Sequence, residues 1–96
     1  MAEAARDLDA GLHERALGRA IKKLREERNM TRRVLAASAD IPIRRLIQAE
    51  RGHSGRLSLS EVCRIAAGLR LHPHELLEHY QDAVKEADSS QAWWSR

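Results

Sequence analysis

Residues 31 to 52, TRRVLAASADIPIRRLIQAERG, carry two forked guanidinium groups and a carboxamide, those of Arg44, Arg45 and Gln48, on a segment whose other side is apolar. Arginine can donate two parallel hydrogen bonds to O6 and N7 of guanine, and glutamine can pair at two points with adenine. Such chemistry belongs to the major groove of duplex DNA. The stretch reads as two short helices joined by a tight turn, the layout that presses one helix into that groove. The plainer alternative is that Arg44 and Arg45 touch only phosphate.

Other chemistries find less support. The run HELLEH at 74 to 79 invites comparison with a zinc-protease motif, but that motif needs histidines at i and i+4 on one helix face. Here the spacing is i+5, about 140° around a helix. Glu75 and His79 do have i+4 spacing, yet two ligands are too few, so no metal and no cofactor are expected. Cys63 falls on the apolar-leaning side of a helix with no Cys/His pairing to activate it, and is expected in the core. Glycine-rich phosphate loops and G-x-S-x-G are absent from the sequence, and no enzymatic activity is expected. Single-stranded nucleic acid would call for aromatic platforms among the basic residues. The aromatics are Tyr80, Trp93 and Trp94, all outside the basic segment.

Composition sets the scale. With 96 residues, 43% hydrophobic and no Phe, the chain suits one modest core and no large enclosed active site. The net charge of +3 divides unevenly: residues 19 to 56 carry +7 and the remainder −4, as expected when one face meets a polyanion. No apolar run approaches the ~18 residues of a membrane span. Glu3, Asp7 and Asp9 stand where a signal peptide would want a basic start. The expected setting is cytoplasmic, with the single cysteine reduced and no membrane partner.

The elements that must position the arginines follow from periodicity and punctuation. Leu17, Ile21 and Leu24 recur at helical spacing, with a weaker stripe of Leu8, Leu12, Ala16 and Ala20 upstream. A first helix therefore starts between about Asp9 and Leu17 and stops near Arg28 and Asn29, since Asn tolerates the left-handed conformation. Thr31 suits an N-cap, with Met30 and Leu35 as a hydrophobic staple, for a second helix from Arg32 to about Ser38. After a turn at Ala39 to Ile41, Pro42 is expected at the first position of a third helix reaching about Arg51. A loop spans Gly52 to Gly55. Ser58 and Glu61 form the S-x-x-E capping box of a fourth helix, expected to bury Leu59, Val62, Ile65, Ala66 and Leu69. Pro73 opens a fifth helix with Leu76, Leu77, Tyr80, Ala83 and Val84 inward, followed by a polar tail from Asp88. The expected fold class is all-α: a compact five-helix domain with extended terminal segments. Residues 1–16 form an N-terminal extension that the upstream stripe allows to be helical, 17–80 the DNA-binding domain, and 81–96 the helix end and tail.

Taken together, LGRAIKKLREERNMT (17 to 31), VLAASADI (34 to 41), LIQAERG (46 to 52) and LSLSEVCRIAAGLRLHPHELL (57 to 77) resemble the lambda-repressor-like, or Xre-type, helix-turn-helix family. The resemblance covers roughly two-thirds of the chain and rests on the combined spacing of these blocks. It implies a five-helix domain in which Arg32 to Ser38 is the supporting helix and Pro42 to Arg51 the recognition helix. Ile43, Arg44, Arg45 and Gln48 would then face base edges, Ile43 against a thymine methyl. Phosphate contacts would come from Thr31, Arg32, Arg33, Arg51, His53, Ser54 and Arg56, helped by backbone N–H groups at the start of the second helix. It also implies a bidentate, partly buried ion pair between Arg25 and Glu50 that orients the recognition helix.

The sequence departs from the family at four places. Arg32 stands where Gln is usual, Asp40 where the turn usually has Gly, Pro42 where Ser or Thr usually caps, and Ala49 where Ile or Leu is usual. Asp40 accepts the left-handed conformation better than most residues, and Ala49 leaves room that a neighbour must fill. Modules of this size usually dimerise on half-sites about 34–36 Å apart, and Tyr80, Ala83, Val84, Trp93 and Trp94 are the candidate dimer or partner surface. With no sensor domain appended, control by concentration, proteolysis or a partner protein is expected rather than by a small ligand. The expected function is a dimeric, sequence-specific regulator of bacterial or phage type that represses from a short palindrome. Two alternatives stay open: the antitoxin of a toxin pair, its C-terminal segment clasping the toxin, and a protein-interaction adaptor, hinted at by Pro42 and Ile43.

Overall fold

Short left-handed stops divide this chain into helices, and the same stop is used four times. The computed structural model describes residues 11–53 and 57–90, without the side chains of 87–90. Expectations for residues 1–10, Ser54, Arg56, Trp93 and Trp94 lie outside the described residues. Five helices follow in order: α1 Leu12–Glu27, α2 Arg32–Ala39, α3 Ile43–Glu50, α4 Leu59–Gly68 and α5 Pro73–Ser90, with no strand among the described residues. Asn29, Asp40, Gly52 and Arg70 follow α1 to α4 at φ of 55°, 56°, 75° and 61°. At each, the next residue's N–H reaches back across the last turn: Met30 to Arg25, Ile41 to Ala36, His53 to Gln48 and Leu71 to Ala66. These are Schellman closures, which satisfy helix-end carbonyls and reverse the chain sharply.

The starts are as specific. Thr31 Oγ1 accepts from Val34 N–H at 3.1 Å. Ser58 and Glu61 form a full capping box at α4. At α5, His72 N–H donates to Oε1 of Glu75 at 2.8 Å, which holds that carboxyl below its usual range. Pro42 differs from expectation. It is the N-cap of α3, at φ −61° and ψ 140°, and the helix begins at Ile43. Its ring fixes only φ, and the extended ψ keeps it outside the helix.

Every helix sends at least one fully buried aliphatic side chain to a common core: Ile21 and Leu24 from α1, Leu35 from α2, Leu46 from α3, Ile65 and Leu69 from α4, and Leu76 from α5. Each such burial stabilises by about 1.5–3 kcal/mol. α1 packs along α5, α2 along α4, and α3 across α1 and α2. α1 begins at Leu12, inside the N-terminal extension, and α5 continues to Ser90.

Two side chains expected inside are exposed, and four are only half-buried. Leu59 is 74% exposed. It opens α4 at the edge of that helix's apolar stripe, and Leu57 packs against the core in its place. Leu77 is 44% exposed, because it lies about 100° around α5 from the buried Leu76. Val62, Cys63, Tyr80 and Val84 are half-buried. Ala83, expected inward and also as part of a dimer or partner surface, is buried within the protomer beside Ala20 of α1, which leaves it off any free surface.

Candidate nucleic-acid interface

α3 is two-faced. Leu46, Ala49 and Glu50 are buried, while Ile43, Arg44, Gln48 and Arg51 are exposed. At 100° per residue, Arg44, Gln48 and Arg51 lie within one sector opposite the buried side, while Ile43, exposed in the first turn, lies about 100° from Arg44. Ile43, Arg44 and Gln48, with Pro42 and Arg45, line one shallow surface depression. This brings a methyl-bearing side chain, a guanidinium and a carboxamide to one patch of surface.

What holds that patch outward is the polar network beneath it. Arg25 Nε donates to Oε2 of Glu50 at 2.6 Å and Nη2 to Oε1 at 3.1 Å, with Nη1 on the Met30 carbonyl at 2.9 Å. Arg32 Nε is the third donor to this carboxylate, bonded to Oε1 at 3.0 Å. One carboxylate at the end of α3 is thereby tied to α1 and to the first residue of α2. The side chains of Arg25 and Glu50 are 9% and 1% exposed, so this is a desolvated pair whose charges answer each other. Arg32, whose departure from Gln put its role in doubt, has its Nε on Glu50 and its side chain 41% exposed.

Backbone contact finishes the seating. A Cβ at Gly18 would lie 2.3 Å from the Ala49 carbonyl oxygen and 2.8 Å from that of Glu50. α1 and the end of α3 therefore touch main chain to side-chain-less main chain. Ala49 itself is buried, 1% exposed, at this close approach of α1 to the end of α3.

Of the residues expected to face phosphate, Thr31, Arg33, Arg51 and His53 are exposed and Arg32 is half-buried. Thr31 caps α2, and accepting from Val34 N–H leaves its hydroxyl proton available to donate. Arg45 stands apart. It follows Arg44 by one residue and so points about 100° away. Its Nε and Nη2 donate to Oε2 and Oε1 of Glu61 at 2.9 and 3.1 Å. The fork holds Glu61 down to about pKa 2, Arg45 acting most strongly and the Ser58 N–H next. Glu61 in turn raises the Arg45 pKa.

Three participants escaped sequence reasoning: Glu61, seen only as a cap; Gly18, a helix-interior glycine that could have flagged a close approach; and His13, which shares a hydrogen bond with the Tyr80 hydroxyl. Tyr80 and Val84 of the expected dimer surface are half-buried. Among the described residues, no three His, Cys, Asp or Glu side chains gather as a metal site, and no helix is long and apolar enough to cross a membrane.

A helix-turn-helix family model matches residues 21–76, more than half of the chain. Among solved structures, the fold is similar to the restriction-modification controller protein C.AhdI from Aeromonas hydrophila, with a TM-score of 0.63, 24% identity, and 66% of this chain and 94% of that one covered. It is also similar to the clp gene regulator ClgR from Corynebacterium glutamicum, with a TM-score of 0.76, 20% identity, and 83% and 84% of the two chains covered. No curated protein sequence matches the chain.

Proposed function

This chain belongs to the lambda-repressor-like, Xre-type helix-turn-helix family of DNA-binding transcriptional regulators, and from that premise we propose that it represses transcription as a dimer on a short palindromic operator. The observation that carries the reading is the opposition on α3: Arg44 and Gln48 are exposed on one side while Glu50 is locked on the other. A recognition helix must present donors and be unable to roll, because base readout depends on bidentate geometry.

In this reading Arg44 pairs with guanine, Gln48 with adenine, and Ile43 packs on a thymine methyl. Thr31, Arg33, Arg51 and His53 grip phosphate, and Arg32 divides its guanidinium between Glu50 and the DNA backbone. The α2 N-terminus adds its amides and dipole. Leu77, Tyr80 and Val84 recur at i, i+3 and i+7 on one side of α5, partly or largely uncovered, and form the stripe best suited to a second copy. Action is by occupancy, in the cytoplasm, without catalysis or cofactor.

Duplex binding measured across a salt series tests this. Affinity should fall steeply with salt, and Arg33→Ala should weaken all sequences alike and flatten the slope by about one. Arg44→Ala and Gln48→Ala should each lose about 1–3 kcal/mol of discrimination at one base position. Small, equal effects from all three would contradict the groove reading.

A further inference from the structure

Arg45 lies on the recognition helix and lines the same depression as Ile43, Arg44 and Gln48, but its charge is answered from the opposite direction. The Glu61 carboxylate takes it in a two-point fork at 2.9 and 3.1 Å. Glu61 cannot easily follow Arg45 toward DNA, because Oε1 also accepts Ser58 N–H at 2.9 Å and its own N–H is bonded to Ser58 Oγ at 3.0 Å. α3 packs on α1 and α2, so the fork is a polar strut from α3 to the start of α4.

We propose that Glu61 is a specificity-determining positioning residue: it neutralises Arg45 and turns it toward α4, so that the recognition helix reads DNA through Arg44 and Gln48 without a third forked cation. The inference rests on the duplex-DNA reading above. A neutralised arginine releases no counterion on binding and so adds nothing to the salt dependence. It also withholds the commonest guanine-reading side chain from a neighbouring base. Adjacent arginines on a recognition helix would otherwise favour any guanine-rich or merely anionic surface.

Glu61→Gln is the informative variant, because Gln can keep the capping-box bond to Ser58 N–H while it removes the charge and one of the two acceptors that Arg45 uses. In duplex binding with randomised and selected sequences, Glu61→Gln should steepen the slope of log K against log salt by roughly 0.9, tighten binding to randomised duplex at low salt, and add a preference at one further base position. Arg45→Ala in the natural background should leave the slope unchanged. Arg45→Ala combined with Glu61→Gln should return the slope to that of the natural protein. A Glu61→Gln protein with unchanged slope and unchanged selected sites overturns the proposal. So does an Arg45→Ala protein whose slope falls by about one, since Arg45 would then already be neutralising phosphate. If the natural protein binds duplex and these variants behave otherwise than stated, only the role of Glu61 fails; if the natural protein binds no duplex, the underlying reading fails with it.

Discussion

Two arginine–glutamate forks hold α3, and they differ chiefly in how much water reaches them. Arg25–Glu50 is 9% and 1% exposed at its side chains, joined by Arg32 and by the Met30 carbonyl. Arg45–Glu61 makes the same two-point contact at 26% and 22% exposure. In the buried fork each charge depends on the other, since an unpaired ion in that place has no solvent to turn to. In the half-exposed fork water can replace either partner, which makes the pair cheap to open and suited to tuning a surface. One fork therefore fixes the helix, and the other adjusts what the helix presents.

The comparison can be broken at its strong side first. Glu50→Ala should destabilise by about 3–5 kcal/mol in denaturant unfolding, because Arg25 is left buried and unpaired. Replacing Arg25 and Glu50 together by Met and Leu should recover most of that loss while loosening the orientation of α3. A Glu50→Ala loss below about 1 kcal/mol would place both forks in the same class.

The backbone seat between the forks comes next. Gly18→Ala pushes a methyl group into the Ala49 and Glu50 carbonyls, and overpacking of that kind costs typically about 1–3 kcal/mol. Since the displaced atoms belong to the end of α3, DNA affinity should fall further than stability alone accounts for. A fully stable Gly18→Ala protein with natural affinity would mean that the approach is looser than the geometry indicates.

The weak fork should give the smallest effect, and a pH dependence with a definite sign. Glu61 is held at about 2 in the folded protein against an ordinary value near 4.5, so its stabilising contribution is complete above about pH 4.5. It is lost as the pH falls from there toward about 2. With water reaching both partners, the effect should be the smallest of the three. Comparing unfolding of the natural protein and Glu61→Gln from pH 7 to pH 2 isolates it: their stability difference should shrink in that interval and stay constant above it. A difference that persists unchanged to pH 2 would deny the fork any charge character.

Much of the frame was legible because its signals are local. Asn29 and Asp40 announce left-handed stops by side-chain type, and Ser58 with Glu61 announces a start. Arg70 adopts the same stop at φ 61° with no such signature; the apolar Leu71 behind it and the helix-end carbonyls decide the matter. Pro42 was misplaced by one position because a proline's φ suits both cap and first turn. Leu59 and Leu77 were placed inward because a stripe read from sequence does not tell where the neighbouring helix ends. At the site, the exposure of Arg44 and Gln48 agrees with the helical spacing read from the sequence. The partner of Arg45 did not follow from that spacing, since it comes from another helix sixteen residues away and only the packed fold brings the two together.

The central claim is that α3, seated by Glu50, reads bases through Arg44 and Gln48. Enrichment of bound sites from random duplex DNA, run in parallel with the natural protein and with Arg44→Ala, tests it most directly. The account predicts a two-fold symmetric site with half-sites about 34–36 Å apart, and loss of a guanine preference at one position per half-site in the variant. Enrichment of no sequence by the natural protein, or the same site from both proteins, would contradict it.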